Sequence, residues 1–339
     1  MRYARQRVVT PDGVTTRVIV SADGGAAWLD LRRGIAHLER SRGATEEGAR
    51  RFAAATAPGS LSACLAGGSR FTDLVAEVVA DAADVATVAP ERFANALDPT
   101  SYRDFMVFEE HFSFGYRWQN KPVPDVMYEL PVNYAGDPLS FIGPDDEIPW
   151  PNYTRRLDYE LELGIVVGRA GRNLRPETAL DHVLGLTILN DVSARDIQGR
   201  EMTGGLGPSK GKHFACVTGP IVTTLDELPG SLRMQATVNG EQLCDTSSDQ
   251  MVWSVAEMVA WASQGETLAP GALLGSGTCN GGSTIELDRR LEPGDEIEFA
   301  VEGLGTLRNR LGQPESEGWT PGPRTRNEDG TAGALRFLT

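Results

Sequence analysis

A chain of 339 residues, 40% hydrophobic and 23% charged, has the make-up of a soluble globular protein with room for one large or two moderate domains. Its 32 Lys and Arg against 47 Asp and Glu give a formal net charge of −15, with the basic residues scattered, which excludes a nucleic-acid partner and disfavours anionic membranes. Small anionic substrates stay open where a local cation or metal reverses the field inside a pocket.

The basic start "MRYARQRVVTPDG" has no apolar h-region behind it, and nowhere do eighteen apolar residues run together, so the reading is a cytoplasmic chain with no membrane span. Residues 4–31 read as short strands broken by the turns "TPDG" and "SADGG". Helices are expected in "TEEGARRFAAAT" and "RFTDLVAEVVADAADVAT", with Thr72 as a cap of the second. Residues 1–95 therefore form an expected small mixed domain. A Pro-containing connector leads to an aromatic, Gly-rich and strand-rich part, 96–339, with an irregular tail from about 313. Cys64, Cys216, Cys244 and Cys279 are widely spaced, fitting reduced buried thiols rather than a disulfide framework or zinc site. Four histidines do not suit a multi-histidine metal site.

In the second part, "SYRDFMVFEEH" puts Asp104 and His111 seven apart, on one stripe if the segment is helical, as a cap and a surface histidine or as a working pair. In "LDYELELGIVVG" Glu160 and Glu162 share a strand face roughly 6.6 Å apart. Alternation alone reads as an ordinary solvated face. Asp191 ends the run "VLGLTILND" before the short helical "SARDIQGRE". It is a cap there, or free for other work, since Ser193 with Asp196 three residues on is equally placed to cap. Arg195 and Gln198 lie three apart, as a surface pair or as two donors aimed at one oxygen. "GLGPSKGKHF" is no P-loop, because Leu206 stands at its first glycine and His213 at its Ser/Thr; "GSGTCNGG" has Asn280 for the last glycine of a dinucleotide loop. Further on, Asn239-Gly240 marks a hairpin, "SVAEMVAWASQ" a helix, and "STIELDR" and "DEIEFAVEGLGTLRNRLG" strands. The fold class is mixed α/β, mainly β, without βαβ alternation.

Together, "SYRDFMVFEEH", "PVNYAGDPLSFIGP", "RRLDYELELGIVVG", "NDVSARDIQ", "LGPSKGKHF" and "GSGTCNGG" resemble the successive motifs of the fumarylacetoacetate hydrolase family, over residues from about 100 to 310. The resemblance implies a catalytic domain built as a mixed β-sandwich roll behind a small N-terminal α+β domain, a homodimer, and a bound Mg²⁺ or Mn²⁺, with Ca²⁺ also compatible with oxygen ligands. Carried over by position, it implies Asp104, Glu160, Glu162 and Asp191 as metal ligands. It implies His111 as the base that activates water, Glu286 as the carboxylate orienting it, and Arg195, Gln198 and Lys212 as the groups that meet developing negative charge. Tyr134 and Thr278 are implied as substrate contacts, and Arg117 is a candidate third.

The implied activity is metal-dependent hydrolysis of a carbon–carbon bond in a β-diketone or acylpyruvate. The alternatives are an oxaloacetate-type decarboxylase or keto–enol isomerase, or a catalytically silent ligand-binding member of the fold. The silent member is expected to have lost His111 or Lys212, and both are present. Two departures bear on substrate. "GREMTGGLGPSKG" lacks the tyrosine expected for fumarylacetoacetate itself, and the segment after His111 does not align cleanly with an arginine for a far carboxylate.

Overall fold

The computed structural model describes residues 1–118, 120–324 and 328. Its organising element is the strand Leu161–Val167, buried along its whole length. Because side chains alternate across a strand, burial on both sides demands two different partners. Leu161, Leu163, Ile165 and Val167 point into one apolar core, and Val166 points into another.

The first core lies between two sheets. Leu161–Val167 belongs to a large sheet whose middle runs Cys216–Thr223, Val183–Asn190, Leu161–Val167, Ala272–Gly275, Ser101–Phe105 and Asn133–Gly136. Facing it is a five-stranded sheet ordered Glu241–Ser247, Arg233–Val238, Glu296–Val301, Gly305–Pro314 and Glu147–Trp150. Met234, Ala236, Ile297, Phe299 and Leu307 from that sheet share one core with Leu163 and Ile165. Mixed α/β architecture dominated by sheet is thus what the chain adopts. The second core, on the other face of the large sheet, joins Val166, Leu189, Leu273 and Tyr102 to Leu31, Ile35, Phe71, Val75 and Val78 of the N-terminal helices. The N-terminal strand Arg2–Thr10 pairs with Cys216–Thr223, so the strands of the first 88 residues continue the large sheet.

Local sequence accounts for most elements. Thr45 Oγ1 accepts from Gly48 N at 3.1 Å and starts the helix Glu46–Thr56. Ser254 and Glu257 form a reciprocal capping box on Val255–Ala262. Asn239 and Gly240, at φ 51° and 80°, close the hairpin between Arg233–Val238 and Glu241–Ser247 as the dipeptide predicts.

Several expectations are corrected. The helix Ser69–Asp81 starts at Gly68, and Thr72 lies inside its first turn, its hydroxyl donating to Ser69 O at 2.8 Å. Asp104 and His111 do not share a helix: Ser101–Phe105 is a strand, parallel to Ala272–Gly275, and the helix begins at Glu109. The segment "STIELDR", expected as a strand, forms the short 3₁₀ turn Thr284–Leu287. Strand Gly305–Pro314 reaches past the expected start of the tail; 315–324 hold no helix or strand, and the remainder lies outside the described residues apart from 328.

Candidate active site and metal centre

The face of the large sheet that carries Val166 at one end carries carboxylates at the other. Strand pairing sets Gly164 opposite Gly275, Gly275 opposite Asp104, and Asp104 opposite Tyr134, so Glu162, Asp104 and Tyr134 gather on one face. Asp191 follows the strand Val183–Asn190, and its backbone N–H donates to Glu160 O at 3.2 Å. One oxygen from each of Asp104, Glu162 and Asp191 lies within 4.8 Å of the others, and all three residues are buried.

Glycine makes that approach sterically allowed. A Cβ at Gly275 would stand 2.2 Å from Asp104 Oδ1 and 2.8 Å from Glu162 Oε2. Gly277, at φ 80°, donates its N–H to Glu162 Oε2 at 3.1 Å and Asp104 Oδ1 at 3.3 Å. The ordinary solvated-face reading of the Glu160–Glu162 pair is therefore overturned, because Glu162 is 0% exposed and Glu160 4%.

The two glutamates have different company. Glu160 Oε1 accepts from Arg195 Nη1 at 2.6 Å, and its Oε2 accepts from Lys212 Nζ. Burial would raise the Glu160 carboxyl, but Lys212, Arg195 and His111 outweigh it and hold it well below the usual carboxylate range. Burial likewise works against the Lys212 ammonium, yet Asp191 and Glu160 keep it well above the usual lysine value and so charged. Among the described residues, Glu162 and Asp104 have no such counter-charge at contact distance. Burial, then Asp104's charge for Glu162 and Asp191's for Asp104, pushes both carboxyls well up. Asp191 is the most heavily tethered: Tyr134 OH donates at 2.7 Å, Lys212 Nζ at 2.5 Å and Cys216 Sγ at 3.2 Å.

Asp191 and Ser193 are not caps. The helix Arg195–Met202 starts at Ala194 without a side-chain cap, Ser193 Oγ donates to Asp191 O at 3.0 Å, and Asp196 accepts from Thr154 Oγ1 and Arg155 N. Arg195 reaches back to Asp158, Nε to Oδ2 at 2.8 Å, and donates to Gln198 Oε1 at 3.1 Å. Lys212 is delivered by a loop clamped from that same helix, where Glu201 accepts from Ser209, Lys210 and Gly211 N–H groups at 2.8, 2.9 and 3.0 Å. A side chain at Gly211 would collide with Gln198 Cα at 2.7 Å, so only glycine lets the loop lie this close.

Asp104, His111, Glu160, Gln198, Lys212 and Thr278 line one cavity of about 220 Å³, joined by Tyr134. His111 stands with Nε2 3.9 Å from Glu160 Oε1 and Nδ1 3.3 Å from Glu286 Oε2, the latter off hydrogen-bond alignment. Met106, Val132 and Met202 make the apolar part of the wall. Arg195 and Glu286 stand behind the lining, holding residues that form it. Arg117 is not brought to the cavity; it is 55% exposed and donates to Glu110 at 2.7 Å. Reasoning from sequence missed Asp158, Glu201, Gly275 and Cys216. The D-x-E-x-E alternation of 158, 160 and 162 was a usable signal for Asp158, and nothing local marks Cys216.

The donor set fits a hard divalent cation. Two bare carboxylates at such separations repel by roughly 3 kcal/mol at an effective dielectric of 20. Lys212 reaches only Asp191 of the three, and Glu162 Oε1 is buried without a hydrogen-bond partner among the described residues. Three carboxylate donors with one uncommitted buried oxygen suit a hard divalent ion that prefers oxygen ligands.

The family model "Fumarylacetoacetate (FAA) hydrolase C-terminal" matches residues 101–312. The human mitochondrial oxaloacetate tautomerase FAHD2A is 35% identical over 201 residues, 57% of this chain and 61% of the relative. Oxaloacetate tautomerase YisK of Bacillus subtilis is 34% identical over 188 residues, covering 54% and 62%. The chain thus matches about three fifths of the length of these curated relatives. Among solved structures, fumarylacetoacetate hydrolase from Exiguobacterium antarcticum superposes with TM-score 0.67 at 25% identity over 91% of this chain and 99% of that one. A Mycobacterium marinum 2-hydroxyhepta-2,4-diene-1,7-dioate isomerase, 23% identical with TM-score 0.61 over 93% and 99%, shares the fold. No helix among the described residues is long and apolar enough to cross a membrane.

Two outcomes follow. Gly275→Ala, which changes no charge, should weaken Mg²⁺ binding by roughly tenfold or more in titration calorimetry, because its Cβ forces Asp104 and Glu162 apart. Gly199→Ala, with open space around it, should bind as the parent does. Second, a divalent ion binding Asp104 and Glu162, both raised by burial, competes with protons for them. Mg²⁺ affinity should therefore rise with pH, with proton release seen as a buffer-dependent binding enthalpy. Groups raised in the folded chain favour folding at low pH, so the metal-free protein should lose stability as pH climbs above about 4. Mg²⁺ should restore it. A Mg²⁺ affinity that does not change with pH, with no proton release on binding, contradicts the assignment.

Proposed function

The chain belongs to the fumarylacetoacetate hydrolase family, and on that premise we propose that it is a divalent-metal-dependent keto–enol tautomerase of small 2-oxo acids, oxaloacetate being the first to test. The observation that supports this reading is one small cavity lined by His111, Lys212, Glu160 and Asp104, with Glu286 behind the histidine and with Glu162 and Asp191 clustered on Asp104 just beneath the lining. Curated relatives named as oxaloacetate tautomerases agree with it.

In this proposal Asp104, Glu162 and Asp191 hold the metal, Mg²⁺ or Mn²⁺, with Glu160 completing the oxygen set beside Lys212. When bound, it supplies Lewis acidity to the 2-oxo oxygen. The chain's own residues do the rest. His111 Nε2, on the cavity side, takes a proton from the carbon next to the carbonyl. Glu286, beside Nδ1, orients the ring so that Nε2 faces the proton it takes. Lys212 and Gln198 face the oxygen on which negative charge grows, and Lys212 stays charged because Asp191 and Glu160 flank it. Return of the proton from His111 to that oxygen completes the enol, so atoms balance without water. Tyr134, through its bond to Asp191, and Thr278, on the wall, are proposed substrate contacts. A homodimer belongs to the same proposal.

A second reading has its own support. The His111–Glu286 pair is equally the arrangement that activates a water, and an acylpyruvate would then lose its acyl group by hydrolysis from the same enolate chemistry. Decarboxylation of oxaloacetate needs no such base.

The test is to follow oxaloacetate enol absorbance in the presence of Mg²⁺, alongside cleavage of an alkyl acylpyruvate and pyruvate release. Mg²⁺-dependent enol–keto interconversion should exceed the buffer rate, and His111→Ala should reduce it at least about a hundredfold while leaving Mg²⁺ affinity unchanged. Acylpyruvate cleavage with no tautomerisation would replace the first reading by the second. Undiminished tautomerisation in His111→Ala would remove the histidine from the reaction.

A further inference from the structure

Behind the cavity one buried carboxylate touches both halves of this machinery without lining it. We propose that Asp158 is a positioning residue that fixes, at once, the turn carrying Glu286 behind His111 and the Arg195 guanidinium behind Glu160. The inference rests on the reading of His111 as the proton-moving group.

Asp158 is 2% exposed and sits in the short strand Leu157–Asp158, paired with Ser193–Ala194. Its Oδ1 accepts from Thr284 N at 2.9 Å and Thr284 Oγ1 at 2.6 Å. Its Oδ2 accepts from Ile285 N at 3.2 Å and Arg195 Nε at 2.8 Å. The turn Thr284–Leu287 thus has its orphan N–H groups satisfied from 126 residues away in sequence, while Ser283, the residue locally placed to cap it, makes no cap bond. Ser283 Oγ instead donates to Glu286 Oε2 at 3.2 Å, the same oxygen that stands 3.3 Å from His111 Nδ1. On the other side, Arg195 Nη1 reaches Glu160 and Gln198, both cavity-lining.

Only a carboxylate serves both sides. It accepts at both oxygens, whereas an asparagine keeps one acceptor and presents its NH₂ either to the guanidinium or to the donors of the turn. Two donors then meet head-on on one side, and that side is released. The negative charge is also needed, because the Arg195 guanidinium is buried between the carboxylates of Asp158 and Glu160 and pairs with both. One substitution far from the substrate therefore loosens the proton-moving side and the cationic side together.

The experiment compares Asp158→Asn and Thr284→Val with the parent, all loaded with Mg²⁺ and checked by circular dichroism. Carbethoxylation of His111 by diethyl pyrocarbonate, read by peptide mass spectrometry, reports the imidazole without requiring turnover. Asp158→Asn should slow it about threefold or more, since Glu286 no longer supports the ring. Oxaloacetate enolisation should lose roughly tenfold to a hundredfold in kcat with KM and Mg²⁺ affinity within about threefold of the parent. Thr284→Val, which removes one donor and keeps Arg195 paired, should show the same pattern more weakly. If folded Asp158→Asn keeps the parent's His111 reactivity and kcat and differs only in melting temperature, Asp158 is a structural group and the inference is overturned. A parent that does not enolise 2-oxo acids at all defeats the proposed function instead, and the carbethoxylation arm still decides the role of Asp158.

Discussion

The constraint on which the structure turns is the burial of three carboxylates within 4.8 Å of one another. Left bare, such a cluster opposes folding; protonated or bound to a divalent ion, it does not. Neighbouring features answer to that constraint. Gly275 clears the space, Gly277 donates to two of the carboxylates, and Tyr134, Cys216 and Lys212 tie down the third. Glu160 escapes the problem by pairing with Lys212 and Arg195, which divides the acidic face into a glutamate neutralised by cationic side chains and a cluster of three carboxylates.

A scaffold able to hold so much charge inside must be rigid around it. The strand bearing Glu162 is packed on its other face by the five-stranded sheet, and farther along the same face by the N-terminal helices. The N-terminal segment therefore contributes more than bulk: its strands extend the large sheet through Cys216–Thr223, whose first residue donates to Asp191. The mobile-looking chemistry of a Gly-rich loop is likewise pinned, since Glu201 binds three consecutive N–H groups before Lys212.

Much of this was legible in the sequence, and the limits have physical causes. The hairpin at Asn239-Gly240, the capped helix after Ser254 and the core side of Leu161–Val167 follow from local rules of turn chemistry and alternation. Asp104, His111, Glu160, Gln198, Lys212, Tyr134 and Thr278 were expected near one another, and the fold brings them to one cavity. What stayed hidden was non-local. Asp104 reads as helical beside "MVFEEH" but is drawn into a strand by pairing with Ala272–Gly275. Ser193 looks like a cap until the strand pair with Leu157–Asp158 occupies its backbone. Arg117 carries the right charge on a helix whose outward face it happens to occupy. The partition of the two glutamates, one to cations and one to the carboxylate cluster, depends on where Arg195 and Lys212 arrive and cannot be read from their spacing.

Anomalous diffraction from crystals grown with Mn²⁺ decides whether Asp104, Glu162 and Asp191 together hold one divalent ion, as proposed. A single strong peak is expected within coordination distance, about 2 Å, of an oxygen from each of the three, with Lys212 still paired to Glu160. A peak held elsewhere, or none at the cluster with its carboxyls still in contact, would contradict it.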